Sequence, residues 1–140
     1  MSDLPLIKRP SGGGVVVHYP EQLNYTLCVP LSLLTGESLL VFYRKLSEQL
    51  LKVLRKQNIE AELVRAKRQG YRMRRIETAC EHFPAKYEIL ERGKKIIGSA
   101  QRKGRQALLQ QSAVFRNTLN KEWFMRDMVS VLSQYYKLVG

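Results

Sequence analysis

Cysteine and histidine are scarce in this chain, and their scarcity excludes several classes of protein. Only Cys28 and Cys80, with His18 and His82, occur among its 140 residues. Two cysteines are too few for a disulfide scaffold, and no CxxC or HxxxH spacing is present to build a zinc site. We therefore predict free thiols in a reducing compartment and no bound metal.

Long apolar runs are also missing. None approaches the roughly 20 residues that a membrane span requires, and residues 1–5 lack the basic and then apolar pattern of a secretory signal. Hydrophobic residues still make up 44% of the chain, which is enough for a packed core. We expect one cytoplasmic domain over residues 1–140 with no membrane contact.

Acidic residues are half as numerous as basic ones, 12 against 24, which leaves a net charge of +12. Such a domain attracts polyanions, whether nucleic acid, a membrane surface or an acidic protein. The densest basic stretch is residues 65–75, where Tyr71 could stack on a base. A basic nucleic-acid-binding module therefore stays open as an alternative of a different class, although a solvated loop is the more usual meaning of such a run.

The residue pattern predicts an α+β, or mixed α/β, domain whose strands are joined by hairpins more than by crossovers. Thr35 is the predicted N-cap of the first helix and Asn58 its C-cap. The predicted elements, in chain order, are a hairpin over residues 14–30, a helix over 37–57, a short strand at 59–63, three strands within 86–115 and a second helix over 122–139.

The first candidate for chemistry is the glycine turn Ser11-Gly12-Gly13-Gly14, which runs into Val15-Val16-Val17-His18. Glycines let the backbone come close to a ligand, and exposed N–H groups in such a turn can hold phosphate or carboxylate oxygens. Arg9 adds a cation in front of the turn, and His18 stands at the end of the predicted strand. The alternative is a flexible approach to a hairpin.

A second candidate is the strand that contains Lys95 and is interrupted by Gly98-Ser99-Ala100. Small residues weaken a strand, and a ligand that crosses it is one reason to keep them. Lys95 could then neutralise a phosphate or polarise a carbonyl oxygen. The alternative is a surface lysine beside a β-bulge.

Cys80 is the third candidate, because a thiolate can attack a thioester or an acyl phosphate and nearby cations favour that form. Cys28 lies within an apolar strand, and we predict that it is a small buried hydrophobic residue.

Together these features resemble the lipoate-protein ligases and octanoyltransferases. Residues 9–18 and 23–26 look like the R-x-[ST]-G-G-G-x-x-x-H…L-x-Y-[ST] signature of that family. Residues 95–101 look like its K-[IV]-x-G-S-A-Q strand, with Lys95 on the essential lysine. Residues 79–88 are similar to the A-C-x-x-x-P-x-(x)-Y-E segment of the cysteine-dependent octanoyltransferases.

The resemblance implies the biotin/lipoate ligase catalytic fold, a mixed and largely antiparallel sheet with helices packed on one side. It implies that Cys80 and Lys95 are catalytic, with Lys95 on the acyl carbonyl or acyl phosphate. The substrate-binding residues that it implies are Arg9, Ser11, Gly12, Gly13, Gly14, Val15, Val16, Val17, His18, Gly98, Ser99 and Ala100.

Two reactions follow from the resemblance. In the transferase, Cys80 takes an octanoyl group from acyl carrier protein as a thioester and passes it to a lysine of a lipoyl domain or of glycine cleavage H protein, with no cofactor. In the ligase, ATP, Mg and lipoate give lipoyl-adenylate, which the target lysine attacks. The basic charge of the chain suits these partners, which the resemblance implies are acidic. A further alternative is that the chain is an inactive, truncated remnant of the enzyme.

This sequence departs from the family pattern in three places. Only eight residues precede Arg9, which predicts an N-terminally truncated domain or a complementing polypeptide. Residues 109–113 read Leu-Gln-Gln-Ser-Ala where the family has L-Q-H-G-S. We also expect no accessory domain after Gly140, where many ATP-dependent ligases of the family have one.

Overall fold

A five-stranded antiparallel sheet with two helices forms the fold in a computed structural model, which describes residues 5–8, 10, 16–34, 36–65, 87–116 and 118–135. The strands follow the spatial order β1-β5-β4-β3-β2, and all four pairings are antiparallel. The elements are β1 (Leu23–Pro30), a short 3-10 helix (Leu31–Leu34), α1 (Leu39–Lys56), β2 (Ala61–Leu63), β3 (Ile89–Glu91), β4 (Lys94–Lys103), β5 (Ala107–Val114) and α2 (Lys121–Tyr135).

The predicted hairpin over residues 14–30 is wrong in its first half. The segment from Val16 to Tyr19 is not a strand, and β1 pairs instead with β5 along its full length, from Leu23 opposite Val114 to Pro30 opposite Ala107. Three adjacent β-branched residues predict a strand only if a neighbouring strand can take up their backbone hydrogen bonds. Here the strand that pairs with β1 is β5, the last strand of the sheet in chain order.

The β3-β4-β5 meander confirms the three strands predicted between residues 86 and 115. Arg92 and Gly93 form the two-residue turn between β3 and β4, with φ of 50° and 77°. Positive φ at both turn residues is the conformation that matches the twist of an antiparallel hairpin. This meander brings Lys95 and Gly98, both on β4, into the middle of the sheet.

Helix α1 matches its prediction over most of its length but is capped by different residues. Ser38 is the N-cap, and its hydroxyl accepts a hydrogen bond from the Val41 N–H at 3.2 Å. Gln57 is the C-cap, while Asn58 follows it in the left-handed conformation, with φ of 59°. The Asn58 and Ile59 N–H groups close the helix end on the carbonyls of the last turn. The predicted N-cap, Thr35, lies outside the described residues.

Both helices pack against one face of the sheet, which we call the helix face. Tyr25 of β1 contacts Phe124 of α2 there, with ring centroids 6.3 Å apart. Phe124 is fully buried, and Met128 and Leu132 follow it on the buried side of α2. Nowhere in the described ranges is a helix long and apolar enough to cross a membrane.

Strand register assigns residues to the two faces of the sheet. Tyr25, Ser112 and Ser99 lie directly opposite one another across β1, β5 and β4, and therefore share the helix face. Asn24 and Gly98 both pair with Ala113 and therefore share the other side, which we call the far face.

Candidate functional site

A buried ion pair lies at the start of β4. Lys95 Nζ is 2.9 Å from Glu88 Oε2, and the exposed fractions of the two side chains are 3% and 6%. Charged side chains are rarely buried to this degree unless they are paired, because removing a charge from water costs several kcal/mol. The cation that the sequence singled out is therefore held inside the protein by a carboxylate from the residue before β3.

A β-bulge turns Lys95 away from the apolar core. Ile89 of β3 pairs with Ile97, yet the next residue, Leu90, pairs with Lys95, so that β4 carries one extra residue here. Without the extra residue, Lys95 and Ile97 would point to the same side of β4. The bulge instead lets Ile96 and Ile97 both enter the core, while Lys95 is directed elsewhere.

The Lys95 side chain crosses directly over Gly98. A Cβ placed on Gly98 would lie 2.9 Å from Lys95 Nζ and closer still to Lys95 Cε, inside van der Waals contact. Gly98 is on the far face, so the ammonium lies on that face as well. The space left by this glycine is filled by the lysine itself, which gives a structural reason for a small residue in mid-strand.

The backbone before β3 is fixed in an uncommon conformation. Tyr87 has a φ of 66°, a left-handed conformation that bulky side chains adopt rarely. Its N–H donates to the Val64 carbonyl at 2.6 Å, and the Val64 N–H donates to the Glu88 carbonyl at 3.0 Å. These two bonds tie the segment that carries the Glu88 carboxylate to the chain just after β2.

A polar cluster lies between α1 and the helix face. The Ser99 and Ser112 hydroxyls are 2.7 Å apart. Burial raises the pKa of Tyr43, and the nearby Glu88 carboxylate raises it further because it repels a phenolate. Tyr43 lies within the helix that the sequence predicts over residues 37–57, but helical spacing alone does not reveal its polar neighbours.

Tyr25 belongs to the same cluster. Burial raises the pKa of Tyr25 to about 12, and the neighbouring Ser112 hydroxyl offsets only part of that rise. Within the described part of the chain, the Tyr25 hydroxyl has no hydrogen-bond partner at ordinary distance and angle. The folded protein therefore strongly favours the neutral phenol.

The raised pKa of Tyr25 predicts a loss of stability at high pH. Between pH 10 and 12 the unfolded chain releases the Tyr25 proton while the folded chain keeps it, so the free energy of unfolding falls by about 2–3 kcal/mol. Below pH 10 both states hold the proton and this group contributes no pH dependence. We expect Tyr25→Phe to flatten the fall in urea unfolding measured from pH 9 to 12, whereas a variant of the exposed Tyr19, Tyr19→Phe, should retain it. Equal slopes for Tyr25→Phe and the parent protein would contradict this assignment.

The other predicted site residues are only partly described. Arg9, residues 11–15 and Cys80 lie outside the described residues. Val16 and Val17 are half-buried, and His18 is exposed, with its Nδ1 2.8 Å from Gln22 Oε1.

The predicted residues of β4 divide between the two faces of the sheet. Gly98 and Ala100 lie on the far face, while Ser99 bonds to Ser112 on the helix face. The structure therefore brings Lys95 together with Gly98 but directs the Ser99 hydroxyl to the opposite side.

Cys28 was expected to be buried, and that expectation is wrong. Cys28 is an exposed free thiol on β1. Its neighbours Leu27 and Val29 point toward the helices, so strand alternation places Cys28 on the side that α1 and α2 do not cover.

Glu88 was not singled out from the sequence as a site residue. It occurred only within the Y-E segment of the family resemblance, which was the one available signal for it. The structure reveals its role because the Lys95 contact depends on the bulge and on the Tyr87 conformation, and neither leaves a periodic pattern in the sequence.

Comparison with known proteins identifies the family. Residues 2–136 match the family model described as the lipoyl protein ligase A/B catalytic domain. The chain belongs to this family. Octanoyltransferase LipM from Kyrpidia tusciae is 33% identical to it over 112 residues, which are 77% of this chain and 40% of that protein. Octanoyltransferase LipM from Carboxydothermus hydrogenoformans is 33% identical over 111 residues, or 78% of this chain and 39% of that protein. The chain thus spans about two fifths of the length of these relatives.

Solved structures of the same fold agree with the family assignment. A T. acidophilum protein assigned to the lipoate protein ligases, with bound lipoic acid, superposes with a TM-score of 0.66 at 16% identity, over 91% of this chain and 56% of that one. Lipoate-protein ligase A bound with ATP gives a TM-score of 0.64 at 16% identity, over 91% and 57% of the two chains. The predicted lipoate ligase-like fold is therefore confirmed.

This chain differs from the L-Q-H-G-S pattern at three positions, residues 111–113, and the structure places the first two of them on different faces of the sheet. Gln111, at the histidine position, pairs with Ala100 and lies on the far face. Ser112, at the glycine position, is buried on the helix face against Ser99. The hydroxyl pair thus depends on a residue that departs from the family pattern.

Proposed function

We propose that this chain carries the acyl-transfer site of a lipoylation enzyme, which moves an octanoyl or lipoyl group to a lysine of a lipoyl domain or of H protein. The observation that carries the proposal is the buried Lys95 ammonium, held over Gly98 on the far face of β4. The names of the relatives, octanoyltransferase LipM, support the acyl group and the class of reaction.

Lys95 would act on the oxygen of the acyl carbonyl. That oxygen gains negative charge when a nucleophile adds to the carbonyl carbon, and a fixed cation stabilises the charge most strongly where water is excluded. An ammonium on a long side chain usually has many rotamers, but this one is already confined by Glu88 and Gly98. The lysine therefore needs little reorganisation when the charge develops.

Cys80 is the proposed nucleophile. Its thiolate attacks the thioester carbonyl of octanoyl-acyl carrier protein, the carbon–sulfur bond to the carrier breaks, and the carrier thiol is released while octanoyl-Cys80 forms. The neutral amine of the acceptor lysine then attacks this thioester, loses a proton and forms an amide, and Cys80 is released as a thiolate. No cofactor is consumed, since the incoming thioester is already activated.

The charge of the chain supports acidic partners. A net charge of +12 favours approach of an acidic acyl carrier protein and of an acidic acceptor domain through long-range attraction.

We further propose that residues 1–140 act as part of a single catalytic domain, to which a complementing polypeptide could add the remainder.

Intact mass measurement after incubation with octanoyl-acyl carrier protein tests the transferase reaction. We expect one added octanoyl group in the parent protein and none in Cys80→Ala, because that variant lacks the nucleophile. Cys28→Ala is the matched control, since Cys28 is exposed and could react non-specifically; it should retain the adduct. An adduct that persists in Cys80→Ala would rule out Cys80 as the nucleophile.

The ligase reaction is the second candidate, because Lys95 would serve an acyl-adenylate equally well and a protein of the same fold binds ATP. It predicts ATP–pyrophosphate exchange that depends on lipoate. Exchange without any octanoyl adduct on Cys80 would favour the ligase over the transferase.

A further inference from the structure

We propose that Glu88 is a positioning residue that fixes the Lys95 ammonium where the acyl oxygen must bind. This role rests on the proposed acyl transfer, but it concerns a residue outside the predicted site and makes its own testable claim about the side chain of Lys95. Three separate observations on the described residues carry it.

The first observation is the ion pair itself. The Glu88 carboxylate lies 2.9 Å from the Lys95 ammonium, and because both side chains are almost fully buried, it compensates a charge that has been removed from water. A charge-assisted hydrogen bond of this length is directional. An ammonium has three N–H groups, so donation to Glu88 is compatible with donation to an acyl oxygen.

The second observation is the backbone that carries the carboxylate. The left-handed Tyr87 stands immediately before Glu88; its N–H donates to the Val64 carbonyl, and the Glu88 carbonyl accepts from the Val64 N–H. A bulky residue keeps such a conformation only where its surroundings impose it. The fold thus accepts strain at the residue whose conformation sets the direction of the Glu88 side chain.

The third observation is Gly98, the residue that the ion pair lies against. The Cβ position of Gly98 would lie 2.9 Å from Lys95 Nζ and 3.4 Å from Glu88 Oε1, so one glycine makes room for both partners. The bulge between β3 and β4 directs the lysine side chain to this same face of the sheet. Carboxylate, glycine and bulge all act on the position of one nitrogen atom.

Glu88→Gln is the direct test, since it preserves side-chain size and removes the charge. We expect kcat for octanoyl transfer to fall by about 10- to 100-fold with KM changed less than about 3-fold, because a misplacement of about 1 Å costs up to about 100-fold. Glu91→Gln is the matched control: Glu91 is an acid on β3 that pairs with Arg116 at 2.9 Å, and its loss should leave kcat within about 2-fold.

A readout independent of activity is the side-chain ammonium resonance of Lys95 in protein labelled with 15N-lysine, assigned by its loss in Lys95→Arg. We expect this slowly exchanging signal in the parent and in Glu91→Gln, and its loss or displacement in Glu88→Gln. An unchanged Lys95 signal in Glu88→Gln would overturn the proposal, as would wild-type kcat in that variant. If the parent protein transfers no acyl group, the proposed function fails, and the resonance alone decides whether Glu88 fixes Lys95.

Gly98→Ala provides a second route that keeps both charges, should Glu88→Gln fail to fold. The added methyl group must displace the Lys95 side chain, so we expect a fall in kcat of about 10- to 100-fold with the ammonium resonance shifted. Gly104→Ala in the turn between β4 and β5 is the control, because its added Cβ would meet the Ala107 carbonyl at 3.1 Å and so perturbs the same sheet without touching Lys95 or Glu88. Normal kcat in Gly98→Ala would contradict the proposed geometry.

Discussion

Lys95→Met is expected to lower octanoyl transfer by about 100- to 1,000-fold. Removal of one fixed charge-stabilising group from an active site typically has this effect, because such groups act mainly on the charge that develops during the reaction. Methionine preserves the length and apolar stem of lysine, so the variant removes the ammonium with little change in packing. Transfer rates measured with saturating octanoyl-acyl carrier protein would show the loss as a fall in kcat.

The same substitution should also destabilise the protein, and this effect must be separated from the loss of chemistry. Lys95→Met removes the cation that lies 2.9 Å from the buried Glu88 carboxylate, and breaking a buried ion pair in this way costs about 3–5 kcal/mol. The double variant Lys95→Met/Glu88→Gln removes both charges and should recover most of that stability in urea unfolding. Its activity should stay as low as that of Lys95→Met.

Two outcomes would contradict a catalytic role for Lys95. One is recovery of transfer in the stable double variant, which would show that Lys95 serves only to balance Glu88. The other is an equal loss of transfer in Lys94→Met, a change at the exposed lysine that immediately precedes Lys95. That control should remain within about 2-fold of the parent protein, since Lys94 is in solvent and its charge is screened.

The elements that sequence predicted correctly are those specified by local chemistry. The spacing of Tyr43, Leu46 and Leu50 marks a helix whichever way the rest of the chain folds. The Arg92-Gly93 turn fixes the register of β3 and β4 within a few residues. Such signals lie within about one helical turn or one hairpin, so they need no knowledge of distant partners.

The errors arose where a distant partner decides the outcome. Val16 and Val17 have the composition of a strand, but β5, some 90 residues away, takes the pairing position beside β1. Cys28 shows the same limit on a smaller scale. Strand alternation predicts that Cys28 lies on the opposite side of β1 from Leu27 and Val29. Which of these two sides the helices cover is visible only in the folded structure.

The candidate site was half predictable for a related reason. Lys95 and Gly98 were found because they lie in one short segment that matches a family pattern. Glu88 was not predicted as a site residue, because its ion pair with Lys95 requires an extra residue in β4 and a left-handed Tyr87. Both are departures from regular geometry, and patterns based on regular periods do not detect such departures.

Phe124→Ala is expected to lower the free energy of unfolding by about 3–5 kcal/mol. Phe124 is fully buried in α2 and its ring contacts Tyr25 of β1, so truncation leaves a cavity where the helix meets the sheet. The adjacent Trp123 is the control, because it is 54% exposed and the Arg126 guanidinium lies over its ring, 6.0 Å from the ring centroid. Trp123→Ala should cost less than about 1 kcal/mol. Urea unfolding of the two variants compares aromatic residues one position apart on opposite sides of α2. Similar losses would mean that α2 is not anchored to the sheet through Phe124.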